Sequence, residues 1–188
     1  VVRSRIIAWR SNLNAQYADV LSEPLDWDER ANGGYFTDKP DIHGYGGLNL
    51  WAAYLEKSYM NKPEDMPEEW REDPAYIACR APGFNTSFKN ILHESVFWLP
   101  VDFGMIFRAK DPRGRIIKYG SSLALLNELN ALNAASWMAD QAMIDKWSME
   151  GAPVDASLEK CAQFAFAVFR RMATASVENK LPMLLHLV

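Results

Sequence analysis

The sequence predicts an α+β fold, mostly α: a helical bundle with a small antiparallel hairpin or sheet near residues 96–119. Three observations carry that prediction. Apolar residues recur at three- and four-residue steps through several long stretches, the pattern of amphipathic helices. Asp111-Pro112-Arg113-Gly114 has type I turn chemistry and lies between two strand-like runs. The 188 residues are 49% hydrophobic and 12% aromatic, with 7 Trp, enough for a sizeable core and unlike a disordered chain. The chain reads as a single domain over 1–188, and a subdomain boundary near 95 is the one place where it could divide.

The first helix is expected over 2–22, from the spacing of Ile6, Trp9, Leu13, Tyr17, Val20 and Leu21, with Pro24 ending it. Residues 23–46 read as an irregular connection punctuated by Gly33, Gly34, Pro40, Gly44 and Gly46, with Gly47 just beyond. A connection of that length is either pinned by its aromatics or a binding loop. Its glycines do not form a nucleotide-binding fingerprint. A second helix is expected over 48–61, stopped by Pro63. Next comes an acidic run, in which residues 64–73 hold six acids against Arg71, a balance of −5.

Tyr76–Cys79 reads as a short strand or a helical turn, and Phe84–Leu92 as a helix capped by Asn85 or Thr86. Val96–Leu99 is β-prone, and Pro100 confines that strand to an edge or a bend. Val101–Lys110 alternates in polarity, and Arg115–Tyr119 returns across the turn. Gly120-Ser121-Ser122 opens a helix expected to reach about Ser148, with a serine cap and a polar stripe of Asn127, Asn130 and Asn133. After Gly151-Ala152-Pro153, Asp155 is expected to cap a last helix over 156–179, apolar nearly all round and so central to the core. The apolar tail from Pro182 is expected to dock as a short strand or helix end.

Composition narrows the function classes. A net charge of −4 and a pI near 5.4 argue against wholesale nucleic-acid binding, so no nucleic-acid partner is expected. No apolar run approaches the ~20 residues that span a bilayer, so no membrane is expected. The N-terminal VVRSRIIAWR lacks the features of a signal peptide, which makes a cytoplasmic location the expectation. Cys79 and Cys161 read as small buried hydrophobes rather than a disulfide framework. His43, His93 and His186 have no metal-ligand spacing, so neither metal nor cofactor is expected.

Charge asymmetry supplies the candidate sites. The first is an acidic docking surface of Glu64, Asp65, Glu68, Glu69, Glu72 and Asp73 with Trp70 as an apolar anchor, joined by Asp26, Asp28 and Glu29 around Trp27. A secondary basic surface holds Arg108, Lys110, Arg113 and Arg115, within a stretch (108–118) of balance +4; edge protection of a strand is the competing explanation for it. Separated charge of this kind steers association and selects a partner of opposite sign, here a basic protein. A homo-oligomer using exposed aromatics is left open.

The runs His93–Phe103 (HESVFWLPVDF) and Tyr119–Leu129 (YGSSLALLNEL) resemble uncharacterised bacterial proteins of the immunity-protein kind. That resemblance implies a non-catalytic, stoichiometric inhibitor of a secreted or contact-delivered toxin, without a cofactor. The alternative is a small-molecule enzyme whose acid–base site would gather Asp102, His93 and His43.

Overall fold

A computed structural model of the protein describes residues 2–27, 34–150 and 157–186. It contains helix α1 (Val2–Gln16), α2 (Ile42–Glu56), a 3-10 turn (Trp70–Glu72), α3 (Pro74–Cys79), α4 (Lys89–Leu92), strand β1 (Phe97–Leu99), β2 (Phe107–Lys110), β3 (Ile116–Ser121), α5 (Ser122–Ala135), α6 (Gln141–Glu150), α7 (Leu158–Asn179) and β4 (Met183–Leu184). The fold is α+β and mostly α, as its sequence predicts.

The sheet has strand order β2-β3-β1-β4. The β2–β3 hairpin is antiparallel and pairs Arg108 with Lys118 and Lys110 with Ile116. β1 lies parallel to β3, with Phe97 opposite Tyr119, while β4 returns antiparallel to β1. The sheet is therefore mixed, and β1 is interior rather than an edge. Pro100 ends β1 instead of displacing it from the sheet.

Successive strand residues face opposite sides, so β1 serves two cores. Phe97 and Leu99 join Trp9, Leu13, Phe107 and Tyr119 beneath α1. Trp98 points into the helical bundle and meets Phe169 edge-on at 5.9 Å. Helix α1 and the turn after it also close the open edge of β2: Trp9 Nε1 donates to the Lys110 carbonyl (2.8 Å) and the Tyr17 hydroxyl to the Arg108 carbonyl (2.9 Å). The first helix is thus shorter than expected, because Tyr17–Ser22 turn to meet the sheet.

Helix α2 begins at Ile42, where Asp41 Oδ1 accepts from the His43 amide, so Gly44, Gly46 and Gly47 are helical rather than loop residues. Their function is close approach. A Cβ on Gly47 would lie 2.7 Å from Cys161 Cβ of α7, and one on Gly46 would lie 2.7 Å from the Trp70 ring.

The helix expected to run to Ser148 is two helices. Asn133 breaks it, with Nδ2 donating to the Ala139 carbonyl (2.9 Å) and Oδ1 accepting from the Ala139 amide (3.0 Å). Met138 takes φ 47° in that turn, and Asp140 Oδ1 then accepts from the Met143 amide at the start of α6. The expected serine cap holds at the start of α5, where Ser121 Oγ accepts from the Ala124 amide; at the start of α7 Ser157 Oγ accepts from the Lys160 amide. The expected cap Asp155 and the Gly151-Ala152-Pro153 break lie outside the described residues. Tyr76–Cys79 is helical, within α3. The expected helix over 84–92 shrinks to α4, whose first amides (Asn90 and Ile91) donate to the Glu128 carboxylate of α5.

Candidate functional site

The acidic run is irregular in sequence but clamped at both ends. Asp65 bridges Ser157 in antiparallel fashion, and the Leu158 amide at the start of α7 donates to the Glu64 carbonyl (2.9 Å). At the other end Asp73 caps α3: Oδ1 accepts from the Ala75 amide and Oδ2 from the Tyr54 hydroxyl, both at 2.8 Å. Between them the Trp70 ring is 4% exposed, wedged against Tyr45, Tyr76 and Gly46. Trp70 is therefore an inward anchor of the segment, not a surface anchor for a partner, and Asp73 is spent on the fold.

What the clamp leaves outside is charge. Glu64, Asp65, Glu68, Glu69 and Glu72 are exposed, and their carboxylates enter no ion pair or hydrogen bond among the described residues. Arg71, the segment's only cation, is drawn aside: its Nε lies 3.3 Å from Glu94 Oε1 and its guanidinium lies over the Trp70 ring. Glu94 also pairs with Arg80 (3.0 Å) and accepts from the Tyr76 hydroxyl (3.2 Å). Burial works against the Glu94 carboxylate, but Arg80, Arg71, Tyr76 and Lys118 together hold its pKa below the usual carboxylate range. These contacts fix a residue whose backbone sits at φ 53°, a region costly for non-glycine residues.

The Glu94 hub is a site that the sequence alone does not single out. The four-residue spacing of Tyr76 and Arg80 places them on one helix face, and that was the one readable signal.

The other predicted residues do not converge. Trp27 is buried, packing on Trp9 with centroids 5.9 Å apart, while Asp26 is exposed. Asp28 and Glu29 lie outside the described residues. Of the enzyme candidates, His43 is exposed in the first turn of α2, His93 follows α4 half-buried, and Asp102 is exposed beyond β1. No hydrogen bond or ion pair joins these three, and none of them lines any of the four cavities that stand out among the described residues. Burial, then Lys118, Arg80 and Lys89, lower the His93 pKa and favour neutral imidazole. The acid–base constellation is not assembled.

On the hairpin, Arg108 and Lys110 point outward from β2. Arg113 is exposed in the turn, and Arg115 is tied to Asp111 at 2.8 Å. Among the described residues no helix is long and apolar enough to cross a membrane.

Comparison with curated proteins finds no match, and comparison with solved structures finds none. A family model described as "Putative DNA-mimic protein" matches residues 12–185, from within α1 to just past β4. This is not an immunity-protein family. The match overturns the expectation of a toxin-neutralising inhibitor with a toxin partner, and with it both the enzyme alternative and the expectation that nucleic-acid recognition plays no part. Because the match spans nearly the whole chain, the protein belongs to the family of "putative DNA-mimic" proteins.

Proposed function

We propose that this protein binds a DNA-binding protein in the place of DNA, offering carboxylates where that partner expects phosphates. The observation that carries this reading is the set of five exposed carboxylates, unpaired among the described residues, on a segment clamped at both ends. From Glu64 to Glu72 the chain, even fully extended, spans at most about 28 Å, so the five residues that carry these carboxylates lie on average about 7 Å apart or less along it. That is inside the ~8 Å screening length of physiological salt. Their fields overlap, and a basic cleft meets a continuous anionic ridge rather than isolated charges. Tying Arg71 to Glu94 keeps the one local cation from interrupting the ridge. Rigidity matters as well, since a pre-positioned ridge loses less entropy on binding than a loose acidic tail.

The proposed surface is Glu64, Asp65, Glu68, Glu69 and Glu72, with Trp70 and Asp73 as its supports. Asp26 is exposed but carries no comparable cluster among the described residues. The sheet shared by both cores supports one domain over 1–188. Two buried free cysteines, Cys79 and Cys161, support a reducing, cytoplasmic compartment.

The test uses the immobilised protein and a cell extract. DNA-binding proteins should be retained and then eluted by short duplex DNA, and the variant E68K/E69K/E72K should retain none while melting like the wild type. Retention that duplex DNA fails to compete, or that survives the triple reversal, would reject the reading.

A further inference from the structure

Four of the basic residues of this acidic protein border one groove. A groove of ≈ 910 Å³ runs between α1 and the β2–β3 hairpin. One wall carries Arg5, with Asn12 and Gln16 further along α1; the other carries Arg108, Lys110 and Arg113. None of these four cations enters an ion pair among the described residues. Helix α1 has three arginines and no Asp or Glu in a chain of net charge −4. The one carboxylate that lines the groove, Asp111, is 6% exposed and already committed. Its oxygens accept from the Arg113 and Arg115 amides and the Arg115 guanidinium, each within 2.9 Å. The groove is left with uncancelled positive charge.

We infer that this groove binds the phosphodiester backbone of nucleic acid, as a surface separate from the acidic ridge. Two observations favour that occupant over an acidic peptide. An extended peptide would enter such a groove by pairing with the open edge of β2, but Trp9 and Tyr17 already donate to the carbonyls of Lys110 and Arg108 on that edge. What remains on offer is side-chain charge. Arg108 and Lys110 are two residues apart on the strand, about 6.6 Å from one another, and stand on the rim of the groove, because Phe107 and Ala109 take the face beneath α1. A duplex presents one charge per ~1.7 Å of its axis, a denser row than an extended acidic peptide supplies. Three of the four cations are arginines, whose planar fork suits phosphate oxygens, and Asn12 and Gln16 add neutral donors.

The groove stands on the core beneath α1, and the acidic ridge on the core of the bundle. The inference does not rest on the mimic reading, because it predicts binding with no protein partner present.

Fluorescence anisotropy of labelled 20-base-pair duplex DNA and duplex RNA tests it. At about 50 mM salt the wild type should bind at least one of them with Kd near 10⁻⁴–10⁻⁶ M, the range of backbone-driven association. Four phosphate contacts should give a slope of log K against log salt of about −3 to −4. R108E/K110E should weaken binding at least about tenfold and flatten the slope by about 2. R5E/N12E, on the opposite wall, should weaken it without touching the hairpin, and K146E on α6 should leave it unchanged. The ratio of DNA to RNA affinity then identifies the source of the backbone. Absence of binding at 50 mM salt, indifference to both groove variants, or competition by polyglutamate as effective as by DNA would each overturn the inference.

Discussion

Replacing Asp73 with alanine would separate two roles that neighbouring acids play in one charge run. Asp73 sits one residue from Glu72, yet it caps α3 and accepts from the buried Tyr54 hydroxyl, while Glu72 faces water. Loss of the cap costs about 1 kcal/mol. The orphaned Tyr54 hydroxyl, on a residue 8% exposed, costs a further ~1–3 kcal/mol. The sum is about 2–4 kcal/mol, which for a domain of this length lowers Tm by roughly 5–12 °C. Urea unfolding followed by far-UV circular dichroism should show the lower midpoint with an unchanged m-value. Asp73→Asn should lose less than about 1 kcal/mol, because its carbonyl oxygen still caps and the Tyr54 hydroxyl can rotate to accept from the amide. E68K/E69K/E72K should shift stability by less than about 0.5 kcal/mol, as exposed sites do. The division between support and ridge is refuted if D73A loses less than about 1 kcal/mol, or if the triple reversal costs as much as D73A.

Other perturbations probe the framework. Gly47→Ala gains up to about 1 kcal/mol of helix propensity, yet its methyl would lie 2.7 Å from Cys161 Cβ and 2.9 Å from the Ala162 amide nitrogen. The helices must part, so a net loss of about 1–2 kcal/mol is expected from overpacking; a variant more stable than wild type on thermal melting would contradict it. Gly120→Ala would drive a methyl into Asn90 Oδ1 and to 2.7 Å from the Trp98 ring, displacing the Asn90 oxygen that accepts from the Ser121 amide. A loss of about 2–3 kcal/mol should appear in chemical unfolding, and a change under 0.5 kcal/mol would be the contrary result. Burial raises the Glu128 pKa to about 7, outweighing the donors from Asn90 and Ile91. A raised folded pKa stabilises fully below the unfolded value near 4.5 and loses that contribution as pH climbs through about 7. Wild-type stability measured against E128Q should therefore fall between pH 4.5 and 7 and level above it; a flat difference over that window would contradict the assignment.

Local chemistry was legible where one short stretch settles the outcome. Asp111-Pro112-Arg113-Gly114 makes its turn because aspartate accepts from the amides two and four residues ahead of it. Ser121 starts α5 because its hydroxyl takes an amide left free by the first turn. The acidic run was readable as charge, since residues 64–73 hold six acids against the single cation Arg71. The break at Asn133 was not readable. It has no glycine or proline, and it depends on one side chain bridging both backbone groups of Ala139. The glycines of α2 misled for a related reason. Glycine punctuates loops when alone with solvent, but here Gly46 and Gly47 are required by the Trp70 ring and α7, residues far away in sequence.

The sequence by itself determined the mostly helical α+β class, the hairpin, the serine cap of α5 and the separation of acidic from basic charge, because these follow from local periodicity and hydrogen-bonding chemistry. Only the tertiary structure decided which charges remain available. It turned Trp70 inward, spent Asp73 on a helix cap, tied Arg71 to Glu94 and Asp111 to Arg115, and left Glu64, Asp65, Glu68, Glu69 and Glu72 exposed. The physical reason is that a charge becomes functional or structural according to its partners, and most of those partners are brought beside it only by folding.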